Sequence, residues 1–378
     1  MKIVHVVEPL AGGIVTFIKS LVQNLPYDQH LIVHGEREQV ISFADVKKQF
    51  VSTNVKFLRW KSAQRSLRFQ KDTKAAMELY TILRRLKSNH SVDIVHLHSS
   101  KSGFIGRVVC RMLGIQNQVV YTPNGAPFLV GTSIASNFLY KKLEKLAAGF
   151  GGQVVCCSAS EQIAYKLAGI DSLNINNGTH FKKTIPFPDK AKSTGRFRIV
   201  TSGRIVNQKD PALFNAIATY FEEFKQFEFV WIGDGSDRYL LTAKNIRVTG
   251  WLDKESVDGI VFNADMYLST AHFEGLPFSV LEALALKKPV LLTDCVGNKD
   301  LVMKGLNGDV FKSKNEAINK ILQFYNNSSM MSLMGTYSGD YCKKSFDEED
   351  TYCSYKLLYQ KAVFNQEINQ LQLKLIAP

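Results

Sequence analysis

The chain has 378 residues, 45% hydrophobic and 21% charged, a globular balance that suits two domains better than one core. No stretch approaches the roughly 18 apolar residues of a membrane helix, and the six cysteines have no C-x-x-C spacing, which argues against a disulfide framework or a cysteine zinc site. The net charge of +13 lies wholly in the first half: 24 basic against 11 acidic residues up to Lys183, then 23 of each. Lys47 to Lys87 alone holds 12 basic and 2 acidic residues, so a polyanion or an anionic membrane surface is expected beside it.

In chain order, Lys2–Val7 reads as a buried strand. Ala11-Gly12-Gly13 and a helical pattern through Ile14, Phe17, Ile18, Leu21 and Leu25 complete the opening βα unit of a doubly wound sheet. One Lys before Glu8 makes a first strand and not a secretory leader, and a reduced, cytoplasmic chain is expected. The Gly pair is not G-x-G-x-x-G, and no acidic residue closes the second strand, which disfavours a nicotinamide cofactor. Gln29–Val33 and Val55–Leu58 continue as strands, and Lys74–Leu86 as a helix. Asp93–His98 reads as a central strand, followed by Ser99–Gly106 and a helix through Val108 and Met112. Gln118–Thr122 is a strand stopped by Pro123-Asn124-Gly125. Open α/β sheets place ligands at the C-terminal ends of strands, so His98 and Asn124 are candidates for a cleft.

A helix near Asn137–Ala148, a strand at Gln153–Cys157, a helix from Ser160 and the Leu173–Gly178 strand and turn close a first domain over 1–183. Residues 184–195, with two prolines among Lys, Ser and Gly, read as a linker to a second domain over 196–345. That domain opens on Phe197–Thr201, then Ser202-Gly203-Arg204, with Lys209 ahead of a helix. Two cations on one loop at a strand end are well placed to neutralise a diphosphate. Phe229–Ile232 with Gly233-Asp234-Gly235, Ile246–Val248 with Gly250-Trp251-Leu252, and Met266–Ser269 read as further strands and turns. Residues 346–378 form a final helix carrying Tyr352, Tyr355, Leu358, Tyr359 and Val363. The acidic run Asp347–Asp350 suits the dipole at that helix start better than a metal, and there is no D-x-D triplet.

The most informative stretch is 271–290, AHFEGLPFSVLEALALKKPV. Glu274 precedes a Gly275-Leu276-Pro277 turn, and Glu282 lies about two turns along the apolar helix that follows, with Pro277 in its first turn. The free amides of the helix start make an anion site between the two carboxylates. One acid is placed for sugar hydroxyls, the amides for phosphate and the other acid for ribose, which is the geometry a nucleotide-sugar requires.

This stretch resembles the E-x7-E motif of glycosyltransferase family 4, retaining enzymes of the GT-B fold. The resemblance runs through the Gly12-Gly13 loop, Asp93 to His98, Thr122 to Gly125, Asn177-Gly178, Arg204 with Lys209, and Glu274 with Glu282. It implies two Rossmann-like doubly wound α/β domains facing a cleft, with the C-terminal helix crossing back to the first. It also implies transfer of a sugar from a nucleoside-diphosphate donor, UDP-linked, to a hydroxyl. Arg204, Lys209 and the amides of Leu276, Phe278 and Ser279 would meet the diphosphate, Glu274 the donor sugar and Glu282 the ribose. Gly12, Gly13 and Gly203 would border the phosphates, Gly275 the sugar turn, and Trp251 and Leu252 the base. No metal or other cofactor is implied, because cations and helix amides supply the charge.

Where the family often has His-Gly after Thr-Pro, this chain has Asn124, which binds but carries no proton charge. Lys101-x-Gly103 resembles enzymes of bacterial surface-polysaccharide synthesis, which places Lys101 with His98 toward the acceptor. Phe50, Phe57, Trp60, Leu67 and Phe69 interleave with the basic stretch, a combination suited to a membrane surface and a polyprenyl-linked or other glycan acceptor. Peripheral attachment at the inner face of the cell membrane is then expected. Nothing resembles a nucleic-acid motif. A sugar-nucleotide epimerase of the same fold, and a non-catalytic nucleotide-sugar-binding partner, remain as alternatives.

Overall fold

The computed structural model describes residues 1–36, 42–64, 69–130, 134–181 and 195–376. The linker expected over 184–195 lies outside them except for Gly195. Contacts divide the chain into two compact units, Met1–Asn176 with Glu349–Pro378, and Asn177–Glu348.

The first unit is built on a parallel sheet of β1 (Lys2–Val7), β2 (Gln29–His34), β3 (Val55–Arg59), β4 (Ile94–His98), β5 (Val119–Thr122), β6 (Gln153–Cys156) and β7 (Leu173–Asn174). Its order is β3-β2-β1-β4-β5-β6-β7. The chain winds outward from β1 in one direction, then returns to β4 and winds in the other, so the strand order reverses between β1 and β4. The apolar run of β1 and the fully buried β4 follow from helices covering both faces of a parallel sheet. Helix Gly13–Asn24 buries Val15, Phe17, Ile18, Leu21 and Val22 against it.

The second unit repeats the plan with β8 (Phe197–Ser202), β9 (Phe227–Ile232), β10 (Ile246–Val248), β11 (Met266–Ser269), β12 (Val290–Thr293) and β13 (Gly308–Phe311) in the order β10-β9-β8-β11-β12-β13. Every pairing is parallel, and the reversal falls between β8 and β11. Its core is aromatic, with Phe214 edge-on to Trp231 at 4.9 Å and Phe221 against Phe227 at 4.5 Å.

The chain ends in two helices, Ser328–Ser345 and Glu348–Ile376, the second lying within the 346–378 range expected for the final helix. The second crosses back to the first unit. Tyr352, Tyr355 and Tyr359 are buried there, with Tyr355 edge-on to Phe17 at 5.2 Å and the Tyr359 hydroxyl 2.7 Å from His96 Nδ1. Among the described residues no helix is long and apolar enough to cross a membrane.

The basic stretch differs from expectation in where its aromatics point. Trp60 is buried and donates its Nε1–H to the Ala75 carbonyl at 3.0 Å. Phe57 packs edge-on between Phe43 and Phe50. Trp60 thus fills the space beside β3, where its burial stabilises the edge of the sheet, while Phe50 and Phe57 are half-buried. Leu67 lies outside the described residues.

Candidate active site

In an open parallel sheet the loops at the reversal of strand order diverge to opposite faces and leave a crevice. In the second unit these loops follow β8 and β11, which pair directly through Ile199 with Met266 and Val200 with Tyr267. The first carries Gly203, Arg204 and Lys209, and the second carries Glu274. Lys209 Nζ lies 2.6 Å from Glu274 Oε1, with both side chains largely buried. Burial pushes the Lys209 pKa down, but the Glu274 carboxylate and then Tyr267 more than reverse this, so the ammonium is held charged. The charge of Arg204 acts on Lys209 in the opposite sense, as a second cation close by would. Tyr267 braces the end of β8 from below, its hydroxyl accepting the Ser202 amide at 3.0 Å.

Several contacts hold the two loops together. Gln208 Nε2 reaches the Phe273 carbonyl at 3.3 Å and Glu274 Oε2 at 3.4 Å, so the carboxylate sits between Gln208 and Lys209. The His272 amide donates to the Gln208 carbonyl at 2.9 Å, and Thr270 Oγ1 donates to the Lys209 carbonyl at 2.7 Å. Asp210 takes a left-handed conformation, φ 46°, and caps the next helix by accepting the Leu213 amide. The sharp turn at Asp210 returns Lys209 toward the sheet end.

Two glycines that sequence reasoning treated as ordinary turn residues, or passed over, set the loop positions by close approach. A Cβ on Gly233 would stand 2.2 Å from the Gly203 carbonyl oxygen, and one on Gly297 2.5 Å from that of Gly275. Both have positive φ, 136° and 85°. The Glu274 amide donates to the Val296 carbonyl at 3.1 Å, and buried Asn298 holds Thr293 Oγ1 at 3.0 Å, which completes the scaffold behind Glu274. Asn177 was read only as a domain-closing turn. Its Nδ2 donates to the Leu276 carbonyl at 2.9 Å.

Pro277 is the N-cap, not a residue of the first turn, and the helix runs from Phe278 to Ala285. The Val280 and Leu281 amides both donate to the Pro277 carbonyl at 3.1 Å. Those of Leu276, Phe278 and Ser279 have no acceptor among the described residues, which leaves them for an anion. Glu282 lies little more than one turn along, nearer the helix start than expected. It pairs with Lys254 at 3.0 Å. Burial lowers the Lys254 pKa, while Glu282 and Asp258 raise it to a net upward shift. Trp251 is 58% exposed, on a turn whose Gly250 bridges to Gly233. The structure therefore brings Gly203, Arg204, Lys209, Glu274 and Gly275 to the β8–β11 switch point, and links the Trp251-Leu252 turn to it through the glycines.

The candidates in the first unit are placed differently. Gly12, φ 63°, caps helix Gly13–Asn24 beside the end of β1. Asn124 is left-handed, φ 57°, a conformation Asn adopts more readily than most residues, and its Nδ2 contacts the Thr122 carbonyl at 3.2 Å. Two residues fail the expectation of a ligand-facing position. His98 is fully buried, its Nε2 3.1 Å from His5 Nδ1, because its position in β4 points its ring under helix Gly13–Asn24, against Phe17. Lys101 is 10% exposed and pairs with Asp72 at 2.6 Å, pinning its helix to helix Phe69–Ser88.

His98 belongs to a group that sequence reading did not assemble. His5 Nε2 meets His30 Nδ1 at 3.0 Å, and His96 Nε2 meets Thr122 Oγ1 at 2.8 Å. Ring nitrogens of His5, His96 and His98 lie within 4.8 Å of one another, close enough to ligate one metal ion. Those of His5 and His96 are already in hydrogen bonds, which an ion would have to displace. The signal was present as the alternating His96 and His98 in β4 and His5 in neighbouring β1, but only the register juxtaposes them.

Two doubly wound parallel sheets, the second carrying a cation pair and an acidic turn at its switch point, are the architecture of GT-B glycosyltransferases. Residues 196–327 match the family described as glycosyl transferases group 1. The chain is similar to the UDP-Gal:alpha-D-GlcNAc-diphosphoundecaprenol alpha-1,3-galactosyltransferase of Escherichia coli, 27% identical over 337 residues, 82% of this chain and 83% of that one. Sucrose-phosphate synthase from Thermosynechococcus elongatus shares the fold with a TM-score of 0.78 at 15% identity, over 95% of this chain and 98% of the other. Anabaena HepE in complex with UDP-glucose does so with a TM-score of 0.72 at 16% identity, over 96% and 100%.

Proposed function

We propose that this glycosyltransferase moves a sugar from a UDP-sugar to a hydroxyl of a polyprenyl-linked glycan, with retention at the anomeric carbon, in bacterial surface-polysaccharide synthesis. The observation that carries the reading is the Lys209–Glu274 pair at 2.6 Å, beside Arg204 and ahead of the open amides of the Leu276–Ser279 turn. The ammonium has three N–H groups, and one toward Glu274 leaves two for a diphosphate. Support for donor and acceptor comes from the Escherichia coli relative, whose name carries UDP-Gal and a diphosphoundecaprenol-linked GlcNAc.

In this mechanism the bond between the anomeric carbon and the diphosphate oxygen breaks while the acceptor hydroxyl attacks the same face. The departing phosphate oxygen takes the acceptor's proton. Arg204, Lys209 and the amides of Leu276, Phe278 and Ser279 stabilise the negative charge that develops, a role worth most in a site already organised to receive it. Pro277 has no N–H and takes no part. Glu274 accepts hydrogen bonds from donor-sugar hydroxyls and fixes the Lys209 ammonium, while Glu282, held by Lys254, accepts from the ribose. These groups supply the positive charge without a metal.

The test is a panel of UDP-, GDP- and ADP-sugars screened for thermal stabilisation, each hit then assayed for acceptor-dependent release of the nucleoside diphosphate. One UDP-sugar should stabilise the protein and be consumed only with a polyprenyl-diphosphate acceptor. Glu274→Ala and Lys209→Ala should each lower kcat by about 100-fold or more. Full activity in both variants sinks the site assignment. Stabilisation without turnover on any acceptor favours a binding protein instead.

A further inference from the structure

Lys254 opens helix Lys254–Phe262, directly after the Trp251-Leu252 turn, and its ammonium lies 3.0 Å from Glu282 Oε1 on the neighbouring helix. It also pairs with Asp258, one turn along its own helix, whose carboxylate is buried. Helix stability does not explain this lysine. A cation in a first turn runs against the helix dipole, which favours negative charge there. The cap is supplied by Asp253, whose carboxylate accepts the Ser256 amide at 2.8 Å. Nor is the pair with Glu282 a strong clamp, since the Lys254 side chain is 56% exposed and ion pairs open to water contribute little.

What the pair offers is a matched donor and acceptor. An ammonium has three N–H groups; with one on Glu282 and one on Asp258, the third has no acceptor among the described residues. A hydroxyl donates one hydrogen bond and accepts others, so it can span an ammonium and a carboxylate that stand 3.0 Å apart. On the chain side of Lys254, Trp251 and Leu252 are exposed and supply apolar surface against which a flat base can lie.

We infer that Lys254 is a specificity residue of the donor site: with Glu282 it reads one hydroxyl of the ribose, the carboxylate accepting the O–H and the ammonium donating to the same oxygen. This role rests on the nucleoside-diphosphate reading above, and it makes the site selective for ribonucleotides over deoxyribonucleotides. A nucleotide without that hydroxyl leaves a donor and an acceptor unmatched, which is how sites built around a hydroxyl reject analogues that lack it.

The experiment is titration calorimetry of the full chain with whichever of UDP, GDP and ADP binds best, and with its 2′-deoxy and 3′-deoxy forms. Wild type, Lys254→Met and Lys254→Arg are compared. In the wild type one of the two deoxy nucleotides should bind about 30-fold more weakly than its parent. In Lys254→Met that ratio should fall to about fivefold, because the parent loses a contact that the deoxy form never had. Lys254→Arg keeps a charged donor and should recover part of the ratio. Kinetics should show Lys254→Met raising the donor KM with kcat little changed, as loss of uniform binding does. Each ratio compares two ligands on one protein, so a merely structural role for Lys254 would not move it. If the wild type discriminates and Lys254→Met keeps the whole ratio, the inference is overturned while the nucleotide reading stands. Equal binding of parent and both deoxy forms by the wild type overturns it too, and needs no variant. If no nucleoside diphosphate binds at all, the nucleotide-sugar reading fails and the inference with it.

Discussion

Mild acid should unfold the first unit, and the four clustered histidines give the size of the effect. His5, His96 and His98 are fully buried and His30 nearly so. Each short N···N contact, His5 to His98 at 3.1 Å and His5 to His30 at 3.0 Å, needs one nitrogen bearing hydrogen and one bare, so two neighbouring rings cannot both be charged. Burial above all, and the neighbouring rings, hold His5, His96 and His98 well below their ordinary 6.5. Burial lowers His30 to about 4, offset in part by the Leu25 carbonyl and Asp28. An unfolded ring takes up its proton near 6.5 and a folded one only well below that, so the stabilisation is complete above pH 6.5 and is lost progressively as pH falls from there toward the folded values. Between pH 7 and 5.5 each ring costs on the order of 1 kcal/mol, and the four together several kcal/mol. That is comparable to the whole stability of an ordinary domain. Urea unfolding at the two pH values measures the difference. Hydrogen exchange should show β1, β2, β4 and the part of helix Glu348–Ile376 around Tyr359 losing protection first, with the second unit retaining it. A slope under about 1.4 kcal/mol per pH unit, one proton's worth, would refute the reasoning.

Gly297→Ala places a Cβ 2.5 Å from the Gly275 carbonyl oxygen at a φ of 85°. Denaturation should show a loss of about 2 kcal/mol or more, and the donor KM should rise as the Glu274 turn shifts. Asn177→Ala removes the hydrogen bond to the Leu276 carbonyl. It should cost about 1 kcal/mol and weaken nucleoside-diphosphate binding about fivefold by titration calorimetry, with kcat less affected. Unchanged affinity would show that the turn holds its shape without Asn177.

Much of the architecture was legible in the chain. Strands such as Lys2–Val7 and Ile246–Val248 appear where the apolar runs predicted them. Helices that pack on a sheet announce themselves through a 3.6-residue period. That Gly203, Arg204, Lys209 and Glu274 lie on loops after strands was also readable, because each loop follows a short apolar run. The failures have a common cause. His98 and Lys101 lie at and just after a strand end, as ligand-binding residues often do, yet one is buried under Phe17 and the other is spent on Asp72. Position along a strand predicts where a residue sits, not which neighbour claims its side chain. Trp60 in the basic stretch is a similar case, buried where its neighbours in sequence are not, since interleaving with lysine looks the same whether a ring faces inward or out.

What the amino-acid sequence by itself determined is the alternation of strand and helix and the loops that bear charge, since both follow from interactions within a few residues. What the tertiary structure decided is which of those loops meet. Lys209 reaches Glu274 because β8 and β11 are parallel neighbours across the reversal of strand order. Gly233 and Gly297 matter because another backbone passes where their side chains would be. The four histidines form one buried group because the register of β1 with β2 and β4 stacks them. Glu144 and Glu161 are removed from the surface by Arg107 and by the Gly125 amide, both distant in sequence. Each of these depends on chain segments distant in sequence, where no local period or propensity carries information.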